Sequence, residues 1–131
     1  MNFIIDTHCW LWWHNSPDKL NEESLKLIAD HKNSIFFSAV CSWEIAIKFS
    51  VGKIRLPEPP QKFIPRSLRE DGFSTLPVEL IHTLQVSNLP MHHKDPFDRL
   101  LISQAQIEKL PILTADNNFT RYEVDVIPAR E

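Results

Sequence analysis

Five acids in the 131-residue chain stand where acids are awkward: Asp95 and Asp98 in MHHKDPFDRLL (91–101), and Asp6, Glu44 and Asp116 in three other segments. Asp95 has an ordinary role as the N-cap of a helix with Pro96 at its first position, because proline lacks the amide hydrogen that would go unpaired there. Asp98 falls at N3, where the helix dipole favours an acid. Yet Leu101, Ile102 and Ala105 follow it at helical spacing and set it beside the core-facing stripe. A carboxylate there is costly unless something neutralises it. Glu44, in AVCSWEIAIK, likewise borders an apolar face, with Val40, Cys41 and Ile47 around it. Asp6 ends the run NFII, and Asp116 ends ILTA. Each acid alone also has a plain reading: a turn for Asp6, a solvated or Lys48-paired side chain for Glu44, an Asx-turn for Asp116. Gathered at one sheet edge they would raise each other's pKa and destabilise the fold, a conflict that a divalent cation resolves. Carboxylate oxygens select hard metals, and Mg²⁺ keeps several of its waters, which points to hydrolysis of a phosphate ester.

The elements that must bring these acids together are short. Strands are expected at Asn2 to Ile5, Ser34 to Phe37, Phe73 to Leu76, Ile112 to Thr114 and Val124 to Ile127. Helical stretches are expected over Trp10 to Trp13, over Glu22 to Asp30 behind an Asn21 cap, and from Ala39 to about Val51, capped by Ser38 and stopped by Gly52. The proline-rich LPEPPQKFIP makes a loop and opens a helix near Gln61 to Glu70. Strands alternating with helices imply an α/β/α sandwich with a mainly parallel central sheet, in which ligands bind beyond the carboxyl ends of the strands. Asp6, Ser38 and Asp116 each lie just past such an end.

Composition sets bounds. The chain suits one domain, burying about two thirds of its unfolded surface. Cys9 and Cys41 lie far apart and form no CxxC pair, which favours buried free thiols in a reducing cytoplasm. No run approaches the roughly 20 apolar residues of a membrane span. A net charge of −3 is unlike that of a generally basic nucleic-acid binder. The segment with Lys48, Lys53, Arg55, Lys62, Arg66 and Arg69 carries a single acid, Glu58, and reads either as a phosphate-tracking strip or as a solvated helix and loop.

Four blocks, IIDTHCWLWW, SAVCSWEIAIK, LPMHHKDPFDRLLISQA and LPILTADNNF, together resemble the PIN-domain ribonucleases, specifically the VapC-type toxins of bacterial toxin-antitoxin pairs. The resemblance implies a single PIN domain over residues 1–131 and a divalent-metal-dependent endoribonuclease that hydrolyses RNA with a metal-activated water. It implies Mg²⁺, or Mn²⁺ in its place, surrounded by Asp6, Glu44, Asp98 and Asp116. Asp6 and Asp98 are then direct ligands, Glu44 a ligand or holder of a water, and Asp116 an outer or second-metal position. It further implies a cytoplasmic protein, an antitoxin partner covering the site, and a homodimer or toxin-antitoxin hetero-oligomer.

Among supporting residues, Ser38 is read as an N-cap or a donor to a carboxylate, and Thr114 as orienting Asp116 or packing in its strand. Arg99 is read as pairing with Asp95 or reaching a phosphate. His92 and His93 lack a third nitrogen or sulfur ligand for zinc and are expected as loop or core residues. The tryptophans are expected in the core and at an interface, with an apolar groove near Trp10 to Trp13 as a docking surface. The alternative from another class is a catalytically silent PIN-like module that binds RNA or protein. A dehalogenase-like phosphatase needs a second aspartate where this chain has His8, and a purely structural protein would use its acids only to cap and solvate.

Overall fold

Strand β1 (Asn2–Ile5) is an uninterrupted apolar run because the sheet is covered on both faces, and Phe3, Ile4 and Ile5 are fully buried. The computed structural model describes residues 1–130. β1 lies at the centre of five parallel strands ordered β3-β2-β1-β4-β5, with β2 at Ser34–Ser38, β3 at Ser74–Leu76, β4 at Ile112–Thr114 and β5 at Val126–Pro128. Its register is set on one side by Phe3 opposite Ile35 and on the other by Ile5 opposite Leu113. Parallel neighbours need crossover connections, and these are the helices α1 (Thr7–Asn15), α2 (Glu22–Ala29), α3 (Ala39–Ser50), α4 (Pro60–Asp71), α5 (Leu80–Gln85) and α6 (Pro96–Glu108). The expected α/β architecture is therefore present, with every strand pair parallel.

Several boundaries differ from expectation for local reasons. α1 begins at Thr7, directly after β1, because Asp6 acts as its N-cap and accepts the Thr7 amide at 2.7 Å. The strand-ending acid is thus also the first residue of a helix cap. Asn21 caps α2 as expected, accepting the Ser24 amide at 2.8 Å. Gly72 closes α4 with φ of +72°, a conformation glycine adopts without steric cost. α5 has no amphipathic signal: Leu80, Ile81 and Leu84 are exposed, and only His82 is buried, accepting the Glu79 amide at Nδ1 (2.9 Å) and meeting Glu108 of α6 through Nε2 (2.7 Å). Among the described residues no helix is long and apolar enough to cross a membrane.

The chain runs from β1 outward through β2 and β3, then returns to the other side of β1 for β4 and β5. The order reverses between β1 and β4. That switch point leaves a crevice beyond the carboxyl ends of the two strands, where α/β proteins bind their ligands.

Candidate metal centre

Asp6 and Asp116 flank this crevice, and one hydroxyl ties them together. Thr114, the last residue of β4, donates to Asp6 Oδ2 at 2.8 Å while its oxygen accepts the Asp116 amide at 3.0 Å. Thr114 therefore orients Asp6 as well as the Asp116 backbone, a role wider than its sequence position indicates. Asp116 also caps the short turn after β4 by accepting the Asn118 amide at 2.9 Å, so its Asx-turn reading and its place in the crevice hold together.

Glu44 enters from α3 and is only 3 % exposed. Thr7, at the first position of α1, donates its hydroxyl to Glu44 Oε1 at 2.8 Å, and Lys48, one turn further along α3, pairs with Oε2. The ordinary Lys48 partner is present, in a setting where both groups face the acidic cluster. Burial alone would lower the Lys48 pKa, but the hydrogen bond and charge of Glu44, with Asp95 and Asp98, raise it. Thr7 has no role in the sequence reading; its one signal is its place directly after a strand-ending acid.

Asp98 comes from the first turn of α6, whose N-cap Asp95 accepts the Phe97 and Asp98 amides, as the DPFD spacing requires. Burial, reinforced by the negative charges of Asp6, Asp95, Glu44 and Asp116, pushes the Asp98 carboxyl up to about 8. Burial also raises Asp6, against the hydrogen bonds from Thr114 and Thr7. Four carboxylates from β1, α3, α6 and the turn after β4 thus act on one another electrostatically.

Of the two readings of Ser38 the cap holds, while Arg99 and His93 differ from expectation. Ser38 caps α3, accepting the Val40 amide at 3.0 Å, but donates to the Gln104 side chain rather than to a carboxylate. Arg99 neither pairs with Asp95 nor faces solvent. Its guanidinium is buried and donates to the carbonyls of Pro90 (3.0 Å), Val86 (3.3 Å), His93 (3.4 Å) and Leu89 (3.5 Å) and to the Tyr122 hydroxyl (3.3 Å). It ties the 86–93 segment to α6. His93 is more than a loop residue, since its Nε2 lies 2.9 Å from Asp98 Oδ2 and 3.2 Å from Asp116 Oδ2. Neither contact is visible in sequence because both depend on how the 89–95 loop folds back.

The donor set fits a hard divalent cation. Polar side-chain atoms of Asp98, Asp116 and the neighbouring His93 lie within 4.8 Å of one another, and carboxylate oxygens dominate the surroundings. The electrostatics make a second expectation. In the metal-free protein Asp98 holds its proton up to about pH 8, whereas an unfolded aspartate releases it near 3.9. The folded state then binds the extra proton between these values. The stability this gives is complete below pH 4 and is lost as pH rises through 8, with a slope of up to about 1.4 kcal/mol per pH unit. Urea unfolding of the EDTA-treated protein from pH 5 to 8 measures it, and a profile as flat as that of Asp98→Asn would contradict it.

Away from the acids, Cys9 and Cys41 are free and buried, and burial pushes both thiols up. Trp10 fills the core against Phe37 and Phe63, and Trp12 lies under Lys19 and Arg130. An apolar groove runs between α3 and α4, a volume of 580 Å³ lined by Ala46, Phe49, Pro59 and Ile64 among others. Trp43 is 55 % exposed and meets Phe97 edge-on beside the crevice. In the basic segment Arg66 is paired with Glu58, while Lys53, Arg55, Lys62 and Arg69 are exposed.

Residues 3–125 match the PIN domain family. A relative, Ribonuclease VapC16 of Mycobacterium tuberculosis (strain ATCC 25618 / H37Rv), is 41% identical over 68 residues, covering 52% of this chain and 48% of the relative. The match thus spans about half the length of that curated relative. Among solved structures, VapBC2 from Rickettsia felis bound to a DNA fragment from their promoter superposes with a TM-score of 0.73 at 18% identity, covering 98% of both chains. DNA-bound VapBC from Salmonella typhimurium gives 0.68 at 15% identity, again over 98% of both. At these identities the likeness is one of fold.

Proposed function

Since the chain belongs to the PIN-domain family, we propose that it is a divalent-metal-dependent endoribonuclease acting as the toxin of a toxin-antitoxin pair, one PIN domain over residues 1–131 working in the cytoplasm. The observation that carries this reading is the convergence of Asp6, Glu44, Asp98 and Asp116 on one crevice, with Asp98 held up to about 8 by burial and by the charge of its neighbours. Such a site is costly to leave uncompensated and well suited to a cation. Mg²⁺ is the ion we assign, with Mn²⁺ as a substitute, from the all-oxygen acidic set.

When bound, the ion supplies Lewis-acid stabilisation of phosphate charge and a water made acidic enough to attack phosphorus. The chain's own residues set up that chemistry. Asp98 and Asp6 would hold the ion, and Thr114 and Thr7 fix the Asp6 and Glu44 carboxylates in place. Lys48 offsets charge on the Glu44 side of the crevice. The exposed cations Lys53, Arg55 and Lys62 suit the phosphate backbone of an RNA strand.

The name of the relative supports the ribonuclease reading, and the VapBC assemblies among the fold neighbours support a small antitoxin as partner. The α3–α4 groove offers that partner an apolar seat, and the exposed Leu80, Ile81 and Leu84 of α5 suit a homodimer contact or a larger toxin-antitoxin assembly. The free, buried thiols of Cys9 and Cys41 suit a reducing compartment. Purified protein freed of any antitoxin is expected to cut RNA in Mg²⁺ or Mn²⁺ and to stop in EDTA. No cleavage of total RNA under any divalent ion, with metal binding retained, would favour a silent RNA- or protein-binding module.

A further inference from the structure

The four acids are not held alike. Asp6 takes the Thr7 amide and the Thr114 hydroxyl, Glu44 takes the Thr7 hydroxyl and the Lys48 ammonium, and Asp116 takes the Asn118 amide at Oδ1. The Asp98 carboxylate accepts no hydrogen bond among the described residues; the group set against it is His93 Nε2, 2.9 Å from Oδ2. The same nitrogen is 3.2 Å from Asp116 Oδ2. We propose that His93 is a positioning residue of the metal centre, holding Asp116 Oδ2 by a hydrogen bond and setting, by its contact with Asp98 Oδ2, how far apart the two carboxylates stand. This rests on the metal-centre reading above.

The proton on Nε2 follows from the other ring nitrogen. Nδ1 accepts the Asp95 amide at 3.3 Å, so a neutral ring carries its hydrogen on Nε2, donating it to Asp116 Oδ2 while the nitrogen abuts Asp98 Oδ2. A nitrogen bearing a proton has no lone pair for a metal, which makes His93 a holder of ligands rather than a ligand. Its own placement is strongly determined. The His93 amide donates to the Tyr122 hydroxyl at 2.8 Å, its carbonyl accepts from Arg99 at 3.4 Å, and its ring meets Phe119 edge-on at 6.3 Å. Residues that orient metal ligands in this way typically contribute about 10- to 100-fold to affinity or activity.

The test is metal binding in the absence of RNA: Mn²⁺ by electron paramagnetic resonance of the free ion and Mg²⁺ by calorimetry, on wild type, His93→Ala, His93→Gln, His93→Asn and Asp98→Asn. His93→Ala is expected to weaken both ions about 10- to 100-fold and by the same factor. His93→Gln, whose amide N–H reaches the region of Nε2, is expected to recover most of the loss, and the shorter His93→Asn is not. If His93→Ala is too unstable to measure, the contrast between Gln and Asn decides. Unchanged affinity in His93→Ala overturns the proposal. So does a loss confined to Mn²⁺ that Gln does not rescue, because imidazole ligation favours the transition metal. Wild-type binding that disappears in Asp98→Asn but persists in His93→Ala defeats the His93 role alone. A wild type that binds neither ion defeats the metal centre and the His93 role with it.

Discussion

Asp98→Asn is expected to lower metal-dependent RNA cleavage by roughly three orders of magnitude, since a metal centre supplies several kcal/mol of transition-state stabilisation and each tenfold in rate is about 1.36 kcal/mol. The substitution is nearly isosteric. The Asp95 cap accepts the Phe97 and Asp98 amides, which the substitution leaves in place, so the first turn of α6 should survive. What is lost is the charge that a cation needs and that the folded protein otherwise resists. The metal-free variant is therefore expected to be more stable than wild type at pH 8, where wild-type Asp98 begins to ionise among Asp6, Asp95, Glu44 and Asp116. Cleavage rates and melting temperatures, measured on the same preparations with and without EDTA, check both halves. A variant that is inactive because it is unfolded, or one that still cuts in a metal-dependent way, would sink the assignment.

The second large effect is on stability. Arg99→Leu should cost about 3 kcal/mol, the scale expected when several buried acceptors lose a charged donor. At this size that is a fall of roughly 10 °C in melting temperature. The guanidinium serves four carbonyls of the 86–93 segment and the Tyr122 hydroxyl at once. Leucine restores apolar volume on α6 but leaves those acceptors unpaired. Arg99→Lys should recover only part of the loss, because a single ammonium cannot fan out over the same set. Cleavage should fall as well, since the segment that Arg99 holds carries His93. Calorimetric melting with an unchanged midpoint in Arg99→Leu would show that the carbonyls find other partners.

The strands, the helix caps at Asp95, Asn21 and Ser38, and the parallel arrangement were legible in sequence because each follows from local pattern: β-branched runs, cap residues and strand-helix alternation. The acids stood out for a related reason, being polar residues at apolar positions. What sequence did not carry is how they are held. Thr7 and Thr114 are unremarkable as letters and gain their roles only when β1 and β4 lie side by side. Arg99 reads in sequence as a partner for Asp95 or a phosphate because nothing local marks a guanidinium that will be wrapped by carbonyls from a preceding loop. α5 escaped notice since a six-residue helix with an exposed apolar face has no periodic signal to offer. The apolar groove between α3 and α4 had no sequence signal, because its lining residues meet only when the two helices pack.

The position of β1 bears on how such a protein is made. It precedes the other four strands of the sheet in sequence and lies in the middle of it, and the neighbour that completes the acidic crevice, β4, leaves the ribosome more than a hundred residues later, as the Asp6 to Thr114 contact spans 108 positions. A nascent chain carrying Asp6 and Glu44 lacks Thr114 and Asp116 and so has no assembled centre. Under the proposed ribonuclease function, strand order alone keeps the chain harmless while it is attached to the RNA machine that synthesises it, and inhibition is first required once β4 has joined β1.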